Sequence, residues 1–170
     1  MKRRGFTIIE IVVYVAVLGL LVSAIASFFL WASNVSAKNQ AMAEVLNNVQ
    51  RALSTITAEI RKAKTVYTPT TFTAQLSLET RDSLGVGETS GFVDFFLCGE
   101  QLCLKRESQP VLAITSDKVV VSYLSFTAIN YSSTTASVQV GLKVDYKGGA
   151  GKAERQAVFS ATSTAALRPY

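Results

Sequence analysis

The sequence predicts an α+β fold: one long N-terminal α-helix, apolar enough in its first half to span a membrane and amphipathic in its second, packed on an antiparallel β-sheet. Three observations predict it. A nearly unbroken apolar run extends from Ile11 to Ala32. Apolar residues then recur at steps of three and four as far as Ala63. From Thr70 onward the period changes to two, the side-chain period of a strand.

The first segment is about 22 residues long, and at about 1.5 Å per residue it spans roughly 33 Å as a helix, enough to cross a bilayer's hydrocarbon core. Lys2, Arg3 and Arg4 precede it. That basic cluster holds the N-terminus in the cytoplasm and sends the C-terminal bulk across the membrane. Glu10 is out of place in a plain anchor, because an unpaired carboxylate at the start of such a run costs about 2.5 kcal/mol or more. A secretory signal peptide gives no reason for an acid there, and it would have a shorter apolar core followed by an Ala-x-Ala-like site, which is missing.

The stretch Arg3-Arg4-Gly5-Phe6-Thr7-Ile8-Ile9-Glu10 followed by the apolar helix resembles the N-terminus of type IV prepilins and type II secretion pseudopilins. Their signature is a short basic leader ending in Gly, then Phe-Thr-x-x-Glu. The resemblance implies a pilin-like fold, cleavage between Gly5 and Phe6 by the prepilin peptidase, N-methylation of Phe6, and assembly of the helices into a filament core through an inner-membrane platform. It also implies that Glu10 faces the Phe6 amine of a neighbouring subunit. Physical chemistry agrees, since a buried carboxylate is tolerable beside a cation and cleavage creates one at Phe6. The likeness is strongest over residues 2–32. Gly19 also falls where many members have Gly, whereas Ser27 stands where major pilins usually carry Pro.

After Ala32 the chain turns polar through Ser33, Asn34, Ser36, Lys38, Asn39 and Gln40, with no Pro or Gly to stop the helix. Met42, Leu46, Val49, Leu53, Ile56, Ile60 and Ala63 lay an apolar stripe along its continuation, with Glu44, Gln50, Arg51, Glu59 and Lys62 off the stripe. Such a stripe suits a coiled-coil seam or the chain's own sheet, and the sheet is the expectation taken here. The helix is expected to end near Lys64, where Arg61, Lys62 and Lys64 complement the carbonyl end of the helix dipole and Thr65, Thr68 and Pro69 follow. The expected segments are a leader over 1–5, a membrane and filament-core helix over 6–32, an amphipathic helix over 33–66 and a β domain over 67–170.

Strands are expected near Ala74 to Glu79, Gly91 to Cys98, Leu102 to Glu107, Lys118 to Asn130, Ala136 to Tyr146 and Glu154 to Ala165. The β-branched Val119-Val120-Val121 and the alternation in Ser137-Val138-Gln139-Val140 support strands with one buried face. Asp82 to Ser90 reads as a loop, and Gly148, Gly149 and Gly151 as a turn. The order of a hairpin, long strands and a terminal Leu167-Arg168 resembles J-type pseudopilins and their pilus counterparts more than major pilins.

Composition narrows the function. The net charge of +5 includes the three leader cations, which leaves +2 on the rest and removes most of the case for a nucleic-acid binder. No histidine is present, which eliminates Ser-His-Asp and Cys-His nucleophile systems and HExxH metal sites. No Walker-type or dinucleotide glycine fingerprint occurs. The expectation is a chain that is not an enzyme and needs no cofactor. Carboxylates at Asp82, Glu88, Asp94, Glu100 and Asp117 are spaced unlike any calcium loop, so no metal is expected.

Cys98 and Cys103 flank Gly99 to Leu102 between two apolar runs, a placement that suits a hairpin disulfide or two free buried thiols. The extracytoplasmic location favours the disulfide, and CxxxxC is not the CxxC redox spacing. Basic residues at Lys105-Arg106, Arg61-Lys62-Lys64 and Lys147, Lys152, Arg155 offer a DNA-contacting face, but Glu59, Glu107, Asp145 and Glu154 interleave with them and favour a solvated surface. The functional expectation is a minor pilin or pseudopilin of a type IV pilus or secretion-type filament, whose partners are other pilin subunits, the prepilin peptidase and the assembly platform. It begins as a single-pass inner-membrane protein with an extracytoplasmic C-terminal domain and ends in a filament at the cell surface or in the periplasm. Retention of Glu10 speaks against a K-like apex subunit, which in that family commonly lacks the acid. The rivals are a DNA-uptake minor pilin and a single-pass anchored β-domain binding module, the second of which leaves Glu10 without a partner.

Overall fold

The computed structural model of the chain describes residues 7–67, 74–81, 90–132, 135–149 and 156–167. One helix, α1 (Ile8–Lys62, 55 residues), is about 82 Å long at 1.5 Å per residue. No proline interrupts it. Thr7 stands extended before it, and the Thr7 carbonyl accepts from the N–H groups of Glu10 and Ile11 at 3.1 and 3.3 Å. At the other end Ala63 leaves the helix in an extended conformation, and Lys64 donates its N–H to the Glu79 carbonyl at 2.8 Å. The helix therefore ends at Lys62, short of the expected Lys64 and of residue 66, because the backbone of Lys64 is already claimed by a strand.

Among the described residues eight strands follow, in two antiparallel sheets rather than the one expected. The first sheet has the order β1-β2-β3-β4-β5, built from β1 (Thr65–Val66), β2 (Leu76–Thr80), β3 (Gly91–Cys98), β4 (Gln101–Arg106) and β5 (Leu112–Ala113). The second has the order β6-β7-β8, from β6 (Val119–Ser132), β7 (Thr135–Tyr146) and β8 (Val158–Ala166). The two-residue strands β1 and β5 are too short to show a period of two, and no expected strand corresponded to them. β8 begins at Val158 rather than Glu154, a residue outside the described ones, as are 82–89 of the expected loop and Gly151 of the expected turn. Lys147–Gly149 form one 3-10 turn.

Both sheets feed a single core. The second half of α1 lies mainly on β7 and β8. Val138, Val140, Leu142 and Val144 of β7 all point inward, and β8 contributes Ala165 beside the half-buried Ala161. Small residues on β8 let the helix approach closely. Leu76, Leu78, Val93, Phe95, Leu102 and Leu104 bring the first sheet into the same core. Burying side chains such as Phe95 and Ile56 completely stabilises the fold by about 1.5–3 kcal/mol each.

Two local features depart from simple alternation. The buried face of α1 is centred on Ala41, Val45, Val49, Ala52, Ile56 and Ile60, whereas Met42 and Leu53 are only partly buried. Val49, Ile56, Ile60 and Ala63 of the stripe traced in the sequence are buried, whereas Ala41, Val45 and Ala52 take the core positions expected of Met42, Leu46 and Leu53. The reason is steric, since alanines at 41 and 52 allow closer packing on the sheet than the larger neighbours do. In β6 the pairing slips between Val121 and Tyr123, so inward positions switch from Val119 and Val121 to Leu124. Ser122 is the extra residue of a β-bulge.

Candidate functional site

Glu10 lies in the first turn of α1, surrounded by the exposed Ile8, Ile9 and Ile11. Ile8 is 84% exposed and Trp31 63%, and no residue of the helix before Ala41 is buried. Some 50 Å of helix, at 1.5 Å per residue, therefore projects from the globular part with its apolar surface bare. Among the described residues Glu10 has no hydrogen-bond or ion-pair partner.

This projecting half is suited to a lipid or helix-lined environment. Ser23 and Ser27 turn their hydroxyls back onto the carbonyls of Leu20 (2.8 Å) and Ser23 (2.9 Å), which satisfies both donors without water. The helix runs through Ser27 without a break. At the end of the apolar run the rings of Phe28 and Trp31 lie 6.0 Å apart, followed by Asn34 and Lys38, an arrangement matching the aromatic belt and polar exit of a membrane interface. Chemically the site offers a hydrophobic rod carrying one carboxylate, a group that is costly to hold unpaired in apolar surroundings. Gly5 and Phe6, the expected cleavage and methylation positions, lie outside the described residues.

The joint between helix and sheets rests on polar contacts that the sequence did not announce. Asn48 is buried at 1% exposure, and its Oδ1 accepts from the Ser116 N–H at 2.8 Å. Its Nδ2 donates to the Glu44 carbonyl at 2.8 Å, and the Ser116 hydroxyl donates to the Glu44 carboxylate at 3.0 Å. A second link joins the guanidinium of Arg106 on β4 to the Glu59 carboxylate at 2.7 Å. The available signal was an asparagine inside the helical stripe, a position where an unpaired amide would be costly.

Cys98 and Cys103 are joined by a disulfide across the β3–β4 hairpin, with Cα atoms 5.8 Å apart. They are diagonal rather than directly opposed, since Cys98 pairs in register with Gln101 and Cys103 with Phe96. The bridged turn reaches the second sheet: the Val121 N–H donates to the Glu100 carbonyl at 2.8 Å, and the Lys147 ammonium meets the Glu100 carboxylate at 2.6 Å. The hydrogen bond to Glu100, followed by its charge, holds Lys147 above its ordinary pKa.

Of the basic residues weighed for a DNA face, Lys64, Arg106 and Lys147 each face a carboxylate, from Glu79, Glu59 and Glu100 respectively. Lys152 and Arg155 lie outside the described residues. No continuous row of free cations is formed by the three paired residues.

In comparison with known proteins, a family model described as the prokaryotic N-terminal methylation motif matches residues 1–26. The match covers the leader, Glu10 and the first part of the apolar helix, and supports a type IV pilin-like protein processed by prepilin peptidase. No curated protein and no solved structure matches the chain.

Proposed function

We propose that this chain is a minor pilin or pseudopilin: a structural subunit that enters the membrane as a precursor, is cut between Gly5 and Phe6, methylated at Phe6, and built into a filament through α1. The observation that carries the reading is Glu10, a carboxylate without a partner among the described residues, at the head of the exposed apolar half of α1 and within a matched methylation motif. Isolated, it is costly in a bilayer. Beside the Phe6 amine of an adjoining subunit it becomes half of a buried ion pair. The partners are other pilin-type subunits, the prepilin peptidase and an inner-membrane assembly platform. The location is a single-pass inner-membrane precursor with its β domain outside the cytoplasm, later incorporated at the cell surface or in the periplasm. The pairing of Lys64, Arg106 and Lys147 with carboxylates supports a structural role over a DNA-receptor one.

The test combines intact-mass spectrometry with Glu10→Val. The mature chain begins at methylated Phe6 in both proteins, because the substitution makes the helix more apolar and leaves the leader untouched. Removing one member of a buried pair typically costs about 3–5 kcal/mol, so the variant is processed but absent from filaments. A chain still starting at Met1 defeats the precursor reading. Processed Glu10→Val assembling at wild-type levels defeats the Glu10 to Phe6 pairing.

A further inference from the structure

Between the half of α1 suited to a membrane and the half packed on the sheets lies a stretch that belongs to neither. The apolar run ends at Ala32, and the first buried residue of the helix is Ala41. Residues 33–40 are all exposed except the half-buried Ala37. Among the described residues none of their side chains takes part in a hydrogen bond or an ion pair. Lys38 has Asn34, Val35, Ala41 and Met42 three and four positions away, so no acid is placed to form the pair that supports an exposed helix. The composition is also poor for a helix without such support. Ser33, Asn34, Val35, Ser36 and Asn39 all rank well below alanine, valine through lost side-chain freedom and the others because their side chains compete for backbone hydrogen bonds. An isolated helix shorter than about 12–15 residues is marginal in water. Residues 33–40 are helical because both of their neighbours are.

Those neighbours are held by different means. Upstream, lipid offers the backbone no partner but its own helix. Downstream, Val45, Val49, Ala52, Ile56 and Ile60 are buried in the core. We infer that residues 33–40 form a yielding joint in α1, helical at rest and opening ahead of either flank, which lets the β domain tilt against the membrane segment without unpacking the core. This goes beyond the filament-subunit reading and rests only on its premise that the apolar half of α1 lies in a bilayer. An opening centred on the joint frees the N–H groups of residues 36–40, whose bonds run back to the carbonyls of residues 32–36. Fraying would instead loosen the two ends of the helix and leave its middle closed.

The experiment uses the full chain in phosphatidylcholine nanodiscs. Hydrogen–deuterium exchange is followed along α1 by mass spectrometry with residue-level fragmentation and corrected for intrinsic rates. The expected profile has an internal maximum of exchange, with the amides of residues 36–40 about tenfold or more faster than those of 16–26 in the bilayer and of 52–60 on the sheets. Replacing Ser33, Asn34, Ser36 and Asn39 by alanine removes the competing side chains and breaks no contact, so exchange at 36–40 slows by about tenfold while that at 52–60 is unchanged. Spin labels on noncanonical residues at the exposed Leu30 and Gln50 read the tilt itself. An unbroken helix sets these two backbone positions about 30 Å apart. The wild-type chain is expected to give a distribution extended to shorter distances, and the alanine variant a single peak. A flat exchange profile with 16–26 protected, exchange at 36–40 that ignores the alanines, or the same single peak in both proteins would each overturn the proposal. Fast exchange over 16–26 as well would place the apolar half outside the bilayer, which defeats the anchoring premise and the joint with it.

Discussion

Asn48→Ala is expected to loosen the joint between the long helix and the β domain. The side chain is 1% exposed and supplies the acceptor for the Ser116 N–H at 2.8 Å. Without it that donor is left unsatisfied in a part-buried site, at a cost of about 1–3 kcal/mol. Loss of the Asn48 bond to the Glu44 carbonyl adds about 1 kcal/mol. The better helix propensity of alanine returns roughly 0.5 kcal/mol. The net destabilisation is about 2.5 kcal/mol. Urea unfolding of the segment from Ser33 onward reads this as a midpoint lowered by roughly 1 M at an m-value of about 2 kcal/mol per M. Ser116→Ala removes the hydroxyl but keeps the N–H, so most of the Asn48→Ala cost persists in that background. Asn48→Asp keeps an acceptor but sets a carboxylate against that of Glu44, which makes it less stable than Asn48→Ala at neutral pH. Its deficit shrinks on acidification, because the folded pair holds a proton more tightly than the unfolded chain does. A midpoint for Asn48→Ala indistinguishable from that of the exposed-site control Gln50→Ala would refute the assignment of this buried network to the helix–domain joint.

Replacing Cys98 and Cys103 by alanine removes a short loop closure, for which the chain-entropy relation gives about 2 kcal/mol; the same unfolding assay checks it, and an unchanged midpoint would refute that contribution. Arg106→Ala leaves the Glu59 carboxylate, 11% exposed, without its cation, and is expected to cost about 1–2 kcal/mol after allowance for the solvent reaching Arg106. The Lys147 ammonium, held up by the hydrogen bond and charge of Glu100, should titrate in NMR above 10.5, and Glu100→Gln should bring it down. Because its folded pKa is raised, its contribution to stability is complete below 10.5 and is lost as pH climbs through the higher folded value. A Lys147 titration unchanged by Glu100→Gln would show that the ion pair does not persist in solution.

Much of the architecture was legible in the chain because its main determinants are local. The apolar run from Ile11 to Ala32, the absence of proline in the helix and the basic residues Arg61 and Lys62 specify α1 through composition and dipole alone. Period-two stretches located the six longer strands, and the short spacing of Cys98 and Cys103 pointed to a hairpin. Glu10 stood out in the chain as a carboxylate at the head of an apolar helix, where an unpaired charge is costly. Other features belong to the packing. Periodicity fixes the direction of a helical stripe only to within about one residue, so Ala41, Val45 and Ala52 became the core face once the sheet offered small residues on β8 for close approach. The bulge at Ser122 reverses the inward phase of β6 and depends on its pairing with β7. Asn48 is an ordinary polar residue until Ser116, far along the chain, brings its backbone N–H to within 2.8 Å. The division into two sheets and the open edge of β8 arise from strand order, which is set by long-range pairing and by what each strand finds beside it, and no local pattern encodes that choice.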